Sequence, residues 1–494
     1  MSFFRSAALL YASVVVAFVC GLCLSSSVAW ADSVSVASAV EGNVVPWMTQ
    51  QLSQYAGSDY GPFQSGVWTD AQATCWACDD GGPATAAATL YVLGGETNPT
   101  LFSEAAQTIN TAIAGQQGLD GGFVPPTGDT TSEGIATMWF GVEFGTTYRL
   151  LSPYLDPATK QAWQTSLAAA ADYLINAGDT TWYANGNINL GYTEFLWLAW
   201  QATGESQFET AYNSSWKFIL SPPQTKFPGR GWITVQAPTL ADGSDGKGYF
   251  AETGAGGTGY DPYYTTLQLD VASRLYLLSR DPRALTVANM MMNQEQPLVD
   301  TTDWLMNTSN GTRHTGINDA EFVTSAYAVL GLDAGRTDLL PDVLPQLQQE
   351  EDWYSWTGQT DNSVFRRAFG NSVSTIALAA ALADPQDSSI VDPFGLLGAN
   401  IPTIVTAPTL VATPPVTMIV TAPTPVTTPP VTATTLTRTP VRTTTQGTTV
   451  DRVARRRHVQ TRRPHPRKDH RRAVLPRRPR RSRAPGHGES RGAR

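Results

Sequence analysis

From about residue 43 to residue 384, apolar side chains recur at three- and four-residue intervals, in blocks separated by polar or Gly/Pro-rich breaks. That period marks helices with a buried face. It predicts twelve of them, near 43–56, 83–93, 101–115, 133–152, 157–177, 189–203, 206–220, 262–280, 283–296, 318–332, 336–349 and 372–384. Start signals mark several: Pro83 after Asp79-Asp80, and the pairs Asp156-Pro157 and Asp261-Pro262. The blocks differ in kind. In 189–203, Glu194 and Gln201 share one face with Trp197, while Phe195, Leu196, Leu198, Ala199 and Trp200 make the rest apolar. Helix 157–177 carries more polar positions and suits an outer layer. Twelve helices in six hairpins predict an all-α fold, an (α/α)6 toroid with an apolar inner ring inside an amphipathic outer one. An open solenoid is the alternative, but the body shows no fixed-period repeat.

The longest break in helical patterning is 221–261, which contains one strand-like run, Trp232 to Gln236. Loops of this length are functional or disordered. Phe227, Trp232, Tyr249, Phe250 and Tyr260 favour an ordered, functional one. Beyond residue 400 the composition changes. IVTAPTLVATPPVTM (404–418) is followed by IVTAPTPVTTPPVTA (419–433), a Pro/Thr repeat of the kind that forms extended linkers. An Arg-rich tail without core-forming residues follows. The expected organisation is a signal peptide over 1–31, the toroid over 32–400, a linker over 401–450 and a disordered tail over 451–494.

Charge sharpens this division. The tail holds 17 Lys/Arg against 3 Asp/Glu; removing them from the chain's 33 and 42 leaves 16 and 39, a net −23 for the remainder. Two readings of the tail stand: a polyanion-binding segment, or an out-of-frame translation of GC-rich DNA. At the other end, Arg5, the apolar run Ala7 to Leu24 and the small-x-small site Ala29-Trp30-Ala31 read as a secretory leader. The chain is therefore expected outside the cell, secreted or surface-associated, with no membrane insertion after cleavage, and monomeric. Cys20 and Cys23 leave with the leader. Cys75 and Cys78 remain, read as a small disulfide ring or a reduced pair, since a redox C-x-x-C needs a βαβ setting.

P-loop, dinucleotide-binding, G-x-S-x-G and EF-hand patterns are missing. Four of the five histidines lie in the tail. One histidine in the body, His314, is too few for a zinc site, so neither metal nor cofactor is expected, and no specific nucleic-acid partner. His314 beside Arg313 reads either as a surface or capping residue or as an acid/base group beside a carboxylate-binding arginine. Tyr260, in GGTGYDPYY with Tyr263 and Tyr264, reads as a core plug or a cleft residue. The acidic candidates are Glu194, Glu252 and Asp261, with Glu133 and Glu143 behind them. Glu194 on an apolar helix is the one expected to have a raised pKa, and Asp261 doubles as an N-cap. Loop aromatics, among them Trp76, Trp182, Tyr183, Trp232, Trp353 and Trp356, are candidates for stacking on sugar rings.

WYANGNINLGYTEF (182–195) followed by ADGSDGKGYFAETGAGGTGYDPYY (241–264) resembles the (α/α)-toroid polysaccharide lyases of the hyaluronate, chondroitin and xanthan type, and more broadly the six-hairpin toroid carbohydrate-active enzymes. The pieces that carry it are Trp182-Tyr183 with Asn185, Asn187 and Asn189, then Asp242-Gly243-Ser244, then Gly256 to Tyr260. The family's histidine after Asp-Gly-Ser is replaced by the neighbourhood of Tyr249 and Phe250, and its C-terminal β-sandwich domains are missing. The resemblance implies a polysaccharide substrate containing uronic acid, cleaved by β-elimination. In that reading Asn187, Asn189 or Arg313 holds the uronate carboxylate. Tyr260 acts as base or acid with His314 as partner, and Trp182, Tyr183, Asn185, Trp232, Tyr249, Glu252, Asp261 and Tyr263 line the substrate. The residues themselves leave two other readings open: a glycoside hydrolase using a carboxylate pair that includes Glu194, and a non-catalytic glycan-binding protein.

Overall fold

The computed structural model describes residues 33–53, 76–124, 132–177, 185–223, 231–313, 320–321, 323–357 and 368–383. All lie in the first of two units, Met1–Val416 and Thr417–Arg494. The leader, linker and tail fall outside the described residues, as do Cys75 and any disulfide it forms.

Twelve helices are present among the described residues: α1 (33–53), α2 (Trp76–Leu93), α3 (Pro99–Gln116), α4 (Gly134–Leu151), α5 (Pro157–Ala177), α6 (Gly186–Thr203), α7 (Ser206–Ile219), α8 (Pro262–Ser279), α9 (Pro282–Glu295), α10 (Thr324–Ala328), α11 (Leu340–Thr357) and α12 (Ser374–Ala383). Widened turns, Val329–Asp333 and Ala368–Val373, extend α10 and precede α12. Four boundaries depart from the sequence reading; one is α10, read from 318, which begins at Thr324 because 320–321 pair as a strand with 306–307. α1 begins ten residues earlier than expected, because Ala37, Val40, Val44, Trp47, Met48 and Leu52 form one buried stripe that the interleaved serines obscure. α2 begins at Trp76, so Pro83 lies inside the helix; it forfeits one backbone hydrogen bond, and packing against α4 compensates. α11 runs on to Thr357.

The even-numbered helices form the inner ring. α2 packs on α4, α4 on α6, α6 on α8, α8 on α10, α10 on α12, and α12 back on α2. That closed circuit is the (α/α)6 toroid. Burial follows the layers: α6 is buried at every position from Gly186 to Ala199, whereas α3 buries five positions, among them Ala105, Ile109 and Ala112. A helix apolar on all sides is stable only when surrounded, and the outer helices supply the wrapping. α6 ends where Gly204 adopts the left-handed conformation (φ 73°) and its N–H caps Trp200.

Three two-stranded antiparallel ribbons decorate one end: β1 (Trp232–Gln236) with β2 (Lys247–Phe250), β3 (Glu252–Gly254) with β4 (Gly257–Gly259), and β5 (Met306–Asn307) with β6 (Ala320–Glu321). The strand-like run read at 232–236 is β1. No helix among the described residues is long and apolar enough to cross a membrane.

Candidate functional site at the long-loop end

The connections differ sharply between the two ends of the ring. Turns from inner to outer helix are short: 94–98, 152–156, 204–205, 280–281 and 334–339. Connections from outer to inner helix are long: 117–133, 178–185, 220–261, 296–323 and 358–373. Long connections over a rigid scaffold carry binding and chemistry. They lead into the N-terminal ends of the inner helices, where peptide dipoles favour negative charge.

At this end Glu252, the first residue of β3, is completely buried. Its Oε1 accepts from the Asn187 backbone N–H (3.1 Å) and from Gln268 Nε2 (2.8 Å), and Arg313 Nη1 lies 3.5 Å from its Oε2. Burial pushes the carboxyl up to about 7, against the pull of those three donors. Two glycines permit the close approach. A Cβ on Gly186 would lie 2.4 Å from Phe250 Cβ and 2.8 Å from Gln268 Nε2; one on Gly311 would lie 2.4 Å from Asp261 Oδ2.

Asp261 caps α8, accepting from Tyr264 N–H (3.1 Å) and from Arg313 N–H (2.5 Å). The Arg313 guanidinium lies over the Tyr264 ring at 3.9 Å. Beside it, Tyr260 donates its hydroxyl to Glu295, the last residue of α9. Burial pushes Glu295 up to about 8 and, together with that carboxylate, drives the Tyr260 phenol well above its ordinary range.

A second polar group occupies the ring axis. Arg274 of α8 clamps Glu194 of α6 through two bonds, Nε to Oε1 (2.8 Å) and Nη2 to Oε2 (2.7 Å), and reaches Asp270 Oδ2 with Nη1 (2.6 Å). Asp270 Oδ1 accepts from Ser325 Oγ of α10 (2.7 Å) and Ser372 Oγ ahead of α12 (3.0 Å). A side chain on α8 that touches the segment leading into α12, past the intervening α10, must point at the axis. Glu194 and Arg274 are closed off, with side-chain exposures of 0% and 3%, whereas Asp270 retains 17%. Around the mouth, three buried polar atoms in the first turns of inner helices lack a hydrogen-bond partner among the described residues: Asn187 Oδ1, Thr324 Oγ1 and Ser374 Oγ.

The expected site residues fall into groups. Asn187, Tyr249, Glu252, Tyr260, Asp261, Tyr263 and Arg313 come together at the long-loop end. Tyr249 packs on Tyr260 (ring centroids 5.0 Å apart), and Tyr263 lies edge-on to Tyr264 (5.4 Å). Asn185 is the α6 N-cap residue, without a side-chain cap bond; Asn189 is buried one turn on. Two expectations are corrected. Glu194 does not face an open cleft: burial raises its carboxyl, but the bidentate Arg274 opposes this and occupies both oxygens. Trp232 does not present a stacking face. It is buried, edge-on to Phe250 at 4.9 Å, with its indole N–H on Thr234. Trp182, Tyr183 and His314 lie outside the described residues. Asp270, Arg274 and Glu295 were missed as candidates; the available signal was a charged pair, Asp270 and Arg274, one turn apart in an otherwise uncharged helix. Among the described residues no group of three His, Cys, Asp or Glu side chains is placed to hold a metal ion.

No known protein family's sequence model matches this chain, and neither does any curated protein. Similar solved structures include a D-mannose isomerase (12% identity, TM-score 0.43, covering 71% of this chain and 97% of that one). They also include a family 76 glycoside hydrolase from a bovine Bacteroides thetaiotaomicron strain (14%, 0.42, 69% and 77%). A third is a family 76 mannosidase from Bacteroides thetaiotaomicron (12%, 0.39, 69% and 98%). At these identities and scores, function has to be argued from the site.

Proposed function

We propose that the protein is an exported carbohydrate-active enzyme that hydrolyses glycosidic bonds at the long-loop end of its toroid, as a monomer and without a cofactor. The observation that carries this reading is a pair of carboxyls in contrasting settings. Asp270 is ion-paired at the axis and partly open; Glu252 is buried and holds its proton near neutral pH. Glycoside hydrolysis needs one carboxyl to protonate the leaving oxygen and another to support the positive charge that grows on the sugar ring. Gln268, which holds Glu252, and Asp270 are two residues apart on α8, about 3 Å along its axis but on different faces of the helix, so the carboxyls sit at similar depth and on different sides of α8. Arg313, 28% exposed, lies 3.5 Å from Glu252 Oε2. The unpartnered Asn187, Thr324 and Ser374 oxygens match a ligand rich in hydroxyls.

The β-elimination reading draws less support. Its base is Tyr260, and that hydroxyl donates its proton to Glu295, which keeps the phenol protonated.

The test is a glycan panel read for new reducing ends and, separately, for the ultraviolet absorbance of unsaturated products. Hydrolysis predicts the first without the second. Because the acid must be protonated, activity should fall as pH rises through about 7. Glu252→Gln should lose roughly 10²–10⁴-fold in rate, the usual weight of a general acid, and lose that pH limb. Unsaturated products, or a Glu252→Gln variant with wild-type rate and pH profile, would overturn the assignment.

A further inference from the structure

We infer that the solvent-reached side of Asp270 at the ring axis takes an uncharged sugar residue and rejects uronates, an inference that names the substrate class for the glycan-cleaving reading above. It rests on the charge balance and the hydrogen-bonding capacity of the axial network.

The Arg274 cation is shared between two anions. Glu194 takes it through two bonds, and Asp270 through one. The remaining partners of Asp270, Ser325 and Ser372, are neutral hydroxyls. The bonded group therefore sets two carboxyls, Glu194 and Asp270, against the one Arg274 cation, and its solvent-reached member is Asp270. Two other described cations, Arg313 and Arg149, are engaged away from this group. Arg313 lies at the mouth against Glu252, and Arg149 stands over Trp197 at 4.7 Å and bonds Gln201 near the short-loop end.

The acceptor capacity points the same way. Two carboxylate oxygens offer about four lone-pair directions. Arg274, Ser325 and Ser372 use three, leaving about one on the exposed side. A sugar hydroxyl donates to that position. A uronate carboxylate has no proton to donate at neutral pH and sets a negative charge beside the Asp270 carboxyl, which is 17% exposed, where reduced solvent screening strengthens repulsion between like charges. The buried network is rigid, since Asp270 is tied to α10 and the α12 approach and Arg274 is tied to α6, so it cannot turn a cation toward an anionic ligand. The expected consequence is selection of neutral residues at this position, whatever the identity of flanking ones.

The experiment is binding to the full chain, followed by tryptophan fluorescence, using neutral tetrasaccharides of mannose, glucose, galactose and xylose alongside tetragalacturonate and tetramannuronate. At least one neutral ligand should bind about tenfold more tightly than either uronate. Asp270→Asn removes the charge while leaving the Glu194–Arg274 pair intact. It should weaken the neutral ligand several-fold and bring the neutral-to-uronate ratio close to one. Carbodiimide labelling of the wild type supplies a second readout that needs no variant: Asp270 should label in the free protein and be protected by the neutral ligand. Preference for uronates, a ratio unchanged in Asp270→Asn, or labelling unaffected by a bound neutral ligand would overturn the inference. Selective neutral binding without cleavage would sink the hydrolase reading and leave this one standing. Hydrolysis that favours uronates would do the reverse.

Discussion

Raising the pH should destabilise this protein through two carboxyls at the long-loop end. Glu252 and Glu295 are fully buried, and burial raises them from 4.5 to about 7 and about 8. The folded state therefore holds more protons than the unfolded state between pH 4.5 and 8. Where that is so, stability falls as pH rises. The contribution is fully present below the unfolded value of 4.5 and lost as pH climbs through 7 and 8. At 1.36 kcal/mol per pH unit the loss amounts to about 3 kcal/mol for Glu252 and about 5 kcal/mol for Glu295, as upper bounds. Urea unfolding followed by tryptophan fluorescence from pH 5 to 9 measures it. The histidines also titrate in this window, so the comparison is with Glu295→Gln and Glu252→Gln measured in parallel. In Glu295→Gln the new amide oxygen still accepts the Tyr260 hydroxyl, but the side chain cannot ionise. That residue's share of the slope should vanish, leaving the variant the more stable protein at pH 8.5. A wild-type stability that is flat or rising over this range, or a slope that survives both substitutions, would refute the reasoning.

Two further outcomes follow from the packing. Arg274→Met leaves Glu194 and Asp270 uncompensated and should cost about 3–5 kcal/mol in urea unfolding, whereas replacing Glu194, Asp270 and Arg274 together with apolar residues of similar volume should restore most of that loss; a triple variant no better than the single would count against an ionic cause. Trp232→Ala should cost about 3–5 kcal/mol, as for any large buried side chain, with sugar affinity in the remaining folded protein unchanged; a selective loss of affinity at constant stability would return Trp232 to the binding surface.

Most of the fold was legible because helix periodicity is a local signal. Residues 157–177 read as helix, and α5 spans those positions. β1 likewise stood out as a β-branched run between proline and glycine. The site was less legible because its chemistry is made by partners far apart in sequence. Glu194 reads as an isolated acid on an apolar helix until Arg274, eighty residues on, is seen to clamp it. Asp270 and Arg274 read as an ordinary i, i+4 pair; only closure of the ring turns their face toward the axis. Glu295 sits at the end of an outer helix, where an acid is commonplace in sequence, and becomes notable because Tyr260 crosses to it from the loop.

The axial network itself argues for function over stability. A buried ion pair repays its desolvation only with good geometry, and apolar residues of the same volume often stabilise a core equally well or better. Much of the inner ring is built from such residues, as in the run Phe195, Leu196, Trp197, Leu198 and Ala199. Glu194, Arg274 and Asp270 therefore occupy positions where leucine and methionine would serve the ring at least as well. What apolar residues cannot provide is a fixed, partly solvent-reached anion at the centre of the long-loop end. Glu194 holds Arg274, Arg274 holds Asp270, and two serines from the far side set its rotation. That degree of constraint on one carboxylate orients its remaining lone pair toward whatever enters the lumen, and a preorganised acceptor is the feature a polyhydroxylated ligand reads.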